Sequence, residues 1–214
     1  MLLTLTGSSC SGKSTLAFSV ADRLRRVAVH DFDEVGVPER ADRRWRNRMT
    51  ELWVRRALEY QGRGIDLLLT GQSPLGEVLA VPSATLLDGI AVCLIDVADE
   101  VRRDRLARRD PGRWEAHAVD AFLGWAAWHR GHAHDPRHRP DVIMGDSWPE
   151  MAWHRWAGWA VDDPRWRTHL LDTTDQPVAR SVDEVEQWIT EQRDAHRSGQ
   201  IPLIRGWTEK RHDS

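Results

Sequence analysis

Residues 7–14 read GSSCSGKS, and they follow directly on the apolar run LLTLT. Glycine, four free positions, glycine, lysine and serine constrain a backbone more tightly than any other stretch of this chain. The two glycines permit a turn in which successive N–H groups point inward, and the helical pattern beginning at Lys13 aims the positive end of a helix dipole at the same spot. Of thirty basic residues only Lys13 and Lys210 are lysines; the others are arginines. Where a generic positive charge sufficed the chain uses arginine, so Lys13 marks a place that wants a compact ammonium against a phosphate oxygen. A glycine turn opening a helix by accident would have to meet both the spacing and the strand-loop-helix context.

Five short apolar runs, at residues 2–5, 27–29, 65–69, 90–97 and 168–171, are each continuous rather than alternating. Runs of this kind, separated by helix-length segments, predict a doubly wound α/β fold with a parallel five-stranded sheet covered on both faces. Helices are expected over 14–26, 41–60 and 99–109, and over the segment SVDEVEQWITEQ, with Ser181 as N-cap and Glu184 completing a capping box. Residues 114–166 hold eight of the twelve tryptophans and break the alternation. They read as a helical insertion in a single domain spanning 1–198, and 199–214 as an extended or partly ordered arm.

A length of 214 residues with 41% hydrophobic content suits a sizeable core, and the net charge of -3 argues against a dedicated nucleic-acid surface. Cys10 and Cys93 lie far apart, no apolar run approaches a membrane span, and the first residues are too short for a signal peptide. The expectation is a cytoplasmic protein with small-molecule partners and no membrane association.

The segment VAVHDFDEV places Asp31 and Asp33 just beyond the second strand, two residues apart and thus on one side of an extended backbone. In a doubly wound sheet that end of a strand faces the ligand crevice. Two carboxylates there can divide phosphoryl transfer, one holding a water of a Mg²⁺ shell and the other accepting the proton of an attacking hydroxyl. The competing reading is a solvated acidic loop in which Asp33 caps the next helix. In the glycine loop, residues Gly7, Ser8, Ser9, Cys10, Ser11, Gly12, Lys13, Ser14 and Thr15 are the expected nucleotide-binding set, with Lys13 on the β- and γ-phosphates of ATP and Ser14 on Mg²⁺.

Together with the LLLTGQ end of the third strand, these features resemble small P-loop kinases of the shikimate-kinase, gluconate-kinase and chloramphenicol-phosphotransferase kind. The resemblance implies Asp33 as the substrate-binding carboxylate and base, Asp31 as the metal-side carboxylate, and Gly71, with Gln72 beside it, near the substrate or transferring phosphate. Gln72 and Ser73 stand where many such kinases carry further glycines. Apart from Asp96 in CLID, no strand ends in a strong acidic metal ligand. The segment DEVRRDRLARRDPGRW is similar to the helix and lid of these kinases, which makes Arg105, Arg108, Arg109 and Arg113 candidates to steady the transferring phosphoryl group, with Arg105 and Arg109 foremost. LDTTDQPVA resembles the loop that passes the base, near Thr173 and Pro177.

Trp125 and Trp128, and likewise Trp153, Trp156 and Trp159, stand three apart, a helical-face spacing that suits core packing or an aromatic wall for a ring-bearing substrate. His129, His132, His134 and His138 read as a polar surface or a lid contact to phosphate, in preference to zinc ligands. The whole implies an ATP- and Mg²⁺-dependent kinase of a small-molecule hydroxyl, whether on a nucleoside, a sugar or an antibiotic-like natural product. Its rivals are a nucleotide-gated binding protein and a kinase of nucleic-acid ends.

Overall fold

Each apolar run becomes a strand: β1 (Leu2–Thr6), β2 (Val27–Asp31), β3 (Asp66–Thr70), β4 (Ile90–Asp96) and β5 (Thr168–Asp172). A computed structural model describes residues 1–208 of the protein. The strands pair in parallel throughout, in the order β2-β3-β1-β4-β5. Every residue of β1 and of β4 is buried, which requires helices on both faces and accounts for their unbroken apolar sequences. From β1 the chain crosses over β3 to β2, returns, and then continues on the far side of β1. That reversal opens a crevice at the carboxyl ends of the central strands. The register brings Asp31 opposite Thr70, and Leu5 opposite that same residue, so β1, β2 and β3 end level with one another.

The helices are α1 (Lys13–Val20), α2 (Arg43–Gln61), α3 (Leu75–Ala80), α4 (Asp99–Arg109), α5 (Ala116–His134), α6 (Asp141–Met144) and α7 (Val178–Arg197). α1 packs on α7 and on β3, while α2 and α3 pack together and α5 lies along α4 and β4. The first expected helix stops at Val20, where a 3₁₀ turn, Ala21–Arg23, takes over. α2 begins behind Asp42, whose Oδ1 accepts from the Trp45 amide at 2.6 Å. The expected cap at Ser181 is corrected: α7 starts one turn earlier behind Pro177, and Ser181 is buried inside it with its hydroxyl donating to Gln176. Proline presets φ and needs no amide partner, so the helix begins there without a polar cap.

Residues 114–166 merge with the main core. Trp128, Trp156, Trp159 and Trp166 are all buried in the same cluster as the sheet residues. The Trp153, Trp156 and Trp159 spacing is not a helix face: only a 3₁₀ turn, Trp153–Arg155, forms, and Trp156 reaches the core by donating Nε1–H to the Gly76 carbonyl at 2.8 Å. Gly76 matters here because a Cβ on it would meet His132, Trp156 and Trp166 at 2.8 to 3.0 Å. The expected polar histidine surface is also corrected, since His129 and His132 are 2% and 1% exposed. Both lie on the inner face of α5 among indoles, a placement that their helical spacing permits and their polarity concealed. The arm's described part is packed: Ile201, Leu203 and Trp207 are buried, and Ile204 bridges Gly89. The rest of that expected arm, with Lys210, lies outside the described residues.

Candidate active site

Between β1 and α1 the loop turns on two glycines. A Cβ at Gly7 would collide with the Ile95 carbonyl oxygen of β4. Gly12 sits at φ 97°, a left-handed value that a side chain rarely adopts, and it leaves the first amides of α1 without a side-chain cap. Those amides are free to meet an anion. Cys10 also has a left-handed φ of 60°, and Ser11 is fully buried. Lys13 makes no hydrogen bond or ion pair among the described residues; burial lowers its pKa, and the nearby Asp31 and Asp33 charges oppose that shift. A desolvated ammonium without a fixed partner is suited to take a phosphate oxygen as its partner.

The acidic pair stands beside it. Ser14 Oγ donates to Asp31 Oδ2 at 2.8 Å, and Asp31 Oδ1 accepts from the Asp33 amide at 3.0 Å. Asp31 thereby caps a short 3₁₀ turn, Phe32–Val35, and Glu34 reaches back to the Asp31 amide. The carboxylate that caps is therefore Asp31, and Asp33 is left exposed at the rim. Partial burial and the Asp31 charge push the Asp33 pKa up, against Lys13 and Arg46. Ser14 Oγ and Asp31 Oδ2 are hard oxygen donors spaced like neighbouring corners of a magnesium octahedron, whose edge is about 2.9 Å, so they fit Mg²⁺.

A cavity of about 420 Å³ opens over the loop, lined by residues 10–16 with Arg105, Arg109, Thr173, Gln176 and Val178. Arg105 bonds the Cys10 and Ser11 carbonyls, each at 3.4 Å, and the Thr173 carbonyl at 3.1 Å. Arg109 lines the same cavity while pairing with Asp110 at 2.8 Å. Arg108 and Arg113 point elsewhere, to the Asp104 carbonyl and over the Trp114 ring. Thr15 also lines the cavity. Gln72 is half-buried at the end of β3. At Gly71 the space of a Cβ is taken by Phe32, 2.8 Å away, and Trp53 Nε1 fixes that phenylalanine by donating to its carbonyl at 3.0 Å.

Several groups escape a reading by sequence. Arg102, fully buried, donates to the Ser9 carbonyl and to Asp96 Oδ1, both at 2.6 Å, and Arg130 of α5 takes Asp96 Oδ2 at 2.9 Å. Asp96 is thus engaged on both oxygens by guanidinium groups, and acts as an anchor of the loop. Its only signal is an acid at a strand end followed six residues later by an arginine. Ser8 donates to the Phe122 carbonyl at 2.9 Å, joining the loop to α5 across 114 residues. Among the described residues no set of three or more His, Cys, Asp or Glu side chains is grouped to hold a metal.

Compared by sequence, the chain matches no family profile and no curated protein. Compared by structure, it superposes on a sugar kinase from Janibacter sp. HTCC2649 with a TM-score of 0.54 at 15% identity, covering 91% of this chain and 96% of that one. A gluconokinase from Sinorhizobium meliloti 1021 gives a TM-score of 0.53 at 17% identity, covering 92% and 95%. At such identities the likeness is one of fold. The protein has the α/β fold of the small P-loop kinases, with five parallel strands and flanking helices.

Proposed function

We propose that the protein is an ATP- and Mg²⁺-dependent phosphotransferase that moves the γ-phosphoryl group to a hydroxyl of a small molecule. The observation that carries this reading is the chain Ser14, Asp31, Asp33 beside the unpartnered Lys13, at the level carboxyl ends of β1 and β2. Magnesium, held through Ser14 and Asp31, would offset charge on the nucleotide oxygens. The backbone amides of residues 8–13 and Lys13 hold the phosphates in line. Asp33, free at the rim, accepts the proton of the acceptor hydroxyl as that oxygen bonds to the γ-phosphorus and the bond from that phosphorus to the bridging oxygen breaks, with ADP as the leaving group. Arg105 and Arg109, facing the cavity, balance the charge spread over the transferring group. Two structural neighbours, a sugar kinase and a gluconokinase, support a small-molecule acceptor. The net charge of -3 supports an acceptor other than nucleic acid. No helix among the described residues is long and apolar enough to cross a membrane, and both cysteines are free, which supports a reducing, cytoplasmic setting.

The test is ATP consumption by the purified chain with Mg²⁺ across a library of hydroxyl metabolites and antibiotics, with products read by mass. A phosphorylated product that disappears in Lys13→Ala is the expected result. ATP binding without transfer to any compound would favour the second reading, a nucleotide-gated binding protein, for which the Ser8 to Phe122 link between loop and α5 is the supporting observation.

A further inference from the structure

The carboxylate on the metal side of the site stands at the margin of the sheet. β2 closes one edge, with β3 as its neighbour, and all five of its residues are half-buried. Asp31 is the last of them. Its two oxygens nevertheless hold fixed positions, one on Ser14 Oγ at 2.8 Å and the other on the Asp33 amide at 3.0 Å. A ligand to a metal at such an exposed strand end needs support from outside the sheet.

That support is a row of three side chains with no part in the steps above. The Asp31 amide donates to Glu34 Oε1 at 2.8 Å, and Glu34 Oε2 pairs with His30 Nδ1 at 2.7 Å. A carboxylate only accepts, so Nδ1 is the donor; in the neutral ring Nε2 is then the acceptor, and Tyr60, at 2.8 Å, donates its hydroxyl to it. The His30 ring also packs against Trp53 and Tyr60, with ring centres 5.3 and 5.7 Å away. Trp53 itself donates to the Phe32 carbonyl. α2 thus grips the 3₁₀ turn Phe32–Val35 twice, at its backbone through Trp53 and at its cap through Tyr60, His30 and Glu34.

The reciprocal cap of the turn needs only one oxygen of Glu34. The second belongs to a side chain that is 41% exposed, and water would ordinarily satisfy it. Aligning three polar side chains instead costs them rotamer freedom, and the order so gained is spent on the turn that carries the Asp33 amide. With that amide held under Oδ1, Oδ2 is left facing Ser14. Groups behind a metal ligand that fix its orientation in this way are worth about 10–100-fold in metal affinity.

We propose that Glu34, His30 and Tyr60 are positioning residues, which hold Asp31 in the orientation that shares Mg²⁺ with Ser14. The inference rests on the kinase reading of the site. None of the three lines the cavity over the phosphate loop, so they act through Asp31 and not on the nucleotide itself. Affinity for metal-bound nucleotide therefore depends on them, and affinity for bare nucleotide does not.

The test is calorimetry of the full chain with a non-hydrolysable ATP analogue, once with Mg²⁺ and once with EDTA; the ratio of the two Kd values is the Mg²⁺ enhancement. His30→Phe keeps a ring against Trp53 and removes both hydrogen bonds. It should lower the enhancement about tenfold and leave Kd in EDTA within about twofold of the parent. His30→Asn puts an amide nitrogen where Nδ1 stood, and should bring the enhancement back to within about threefold of the parent. Tyr60→Phe, one link further out, should lower it about two- to threefold. Equal enhancement in the parent, His30→Phe and Tyr60→Phe overturns the inference and leaves the kinase reading in place. So does His30→Asn behaving like His30→Phe, or a loss in EDTA as large as that in Mg²⁺, since a turn that is only structural gives those results. If His30→Phe does not fold, Tyr60→Phe alone decides. A parent chain that binds the analogue no better with Mg²⁺ overturns the inference together with the metal role of Ser14 and Asp31, and the kinase reading loses its support there.

Discussion

The two halves of the crevice are built on different principles. The nucleotide half is made of backbone: amides of one loop, a helix terminus and carbonyls stapled by Arg102 and Arg105, around an open cavity of about 420 Å³. The side toward α2, α3 and α5 is made of side chains, and it is closed, with Arg46 Nη2, Trp125 Nε1 and both nitrogens of His129 buried and without hydrogen-bond partners among the described residues. A site made of backbone needs only glycines at the right spacing, so it looks alike whatever it serves. A site made of side chains from three elements can be rebuilt position by position, and that is where one fold acquires different acceptors.

The sharpest way to break this contrast is Asp33→Asn. Losing the proton acceptor should lower the transfer rate by about 10²–10⁴-fold, while Kd for a non-hydrolysable ATP analogue stays within about twofold; single-turnover kinetics and calorimetry read the two effects separately. A matching fall in nucleotide affinity would mean the halves are not separable. Next in size is Trp156→Ala. Trp156 is 1% exposed and tied to Gly76, so its removal should cost about 3–5 kcal/mol of stability by denaturant titration. The phosphate loop, held from β1 and β4, should still bind nucleotide in the folded fraction. The most gradual effect is that of pH. Burial pushes His132 down to about 4 and His129 in the same direction. The unfolded chain then binds more protons than the folded one below about pH 6.5, so stability is fully present above that pH and falls as pH drops toward 4. The slope should approach about 1.4 kcal/mol per pH unit for each histidine. Denaturation midpoints between pH 7 and 4.5 measure it, and His132→Gln should flatten the curve. A flat curve in the parent chain would mean that these histidines are not enclosed.

What could be read from the sequence follows the same division. Strands and phosphate loop are local matters: continuous apolar runs imply burial on both faces, and the glycines of the loop imply its turn. The cap of α7 failed for a local reason, because Pro177 ends the loop and starts the helix a turn before Ser181. The acceptor side failed for a non-local one. Nothing within a few residues of His129 says that Thr6 of β1 and Leu75 of α3 will border the same small cavity as its ring. Polarity alone pointed His129 and His132 to the surface, and only the indoles of Trp125, Trp128, Trp156 and Trp166 around them explain their burial.

The stack of Trp125 on Trp128, ring centres 4.7 Å apart and planes 11° from parallel, also has an optical consequence. Two indoles so close couple their ultraviolet transitions, and any in-plane twist between them gives a paired circular-dichroism band that single tryptophans lack. Trp125 stands one turn from Phe122, whose carbonyl accepts from Ser8 of the loop between β1 and α1, so a shift of that turn changes the coupling. The protein therefore carries its own optical gauge of movement beside the glycine loop, with no label attached.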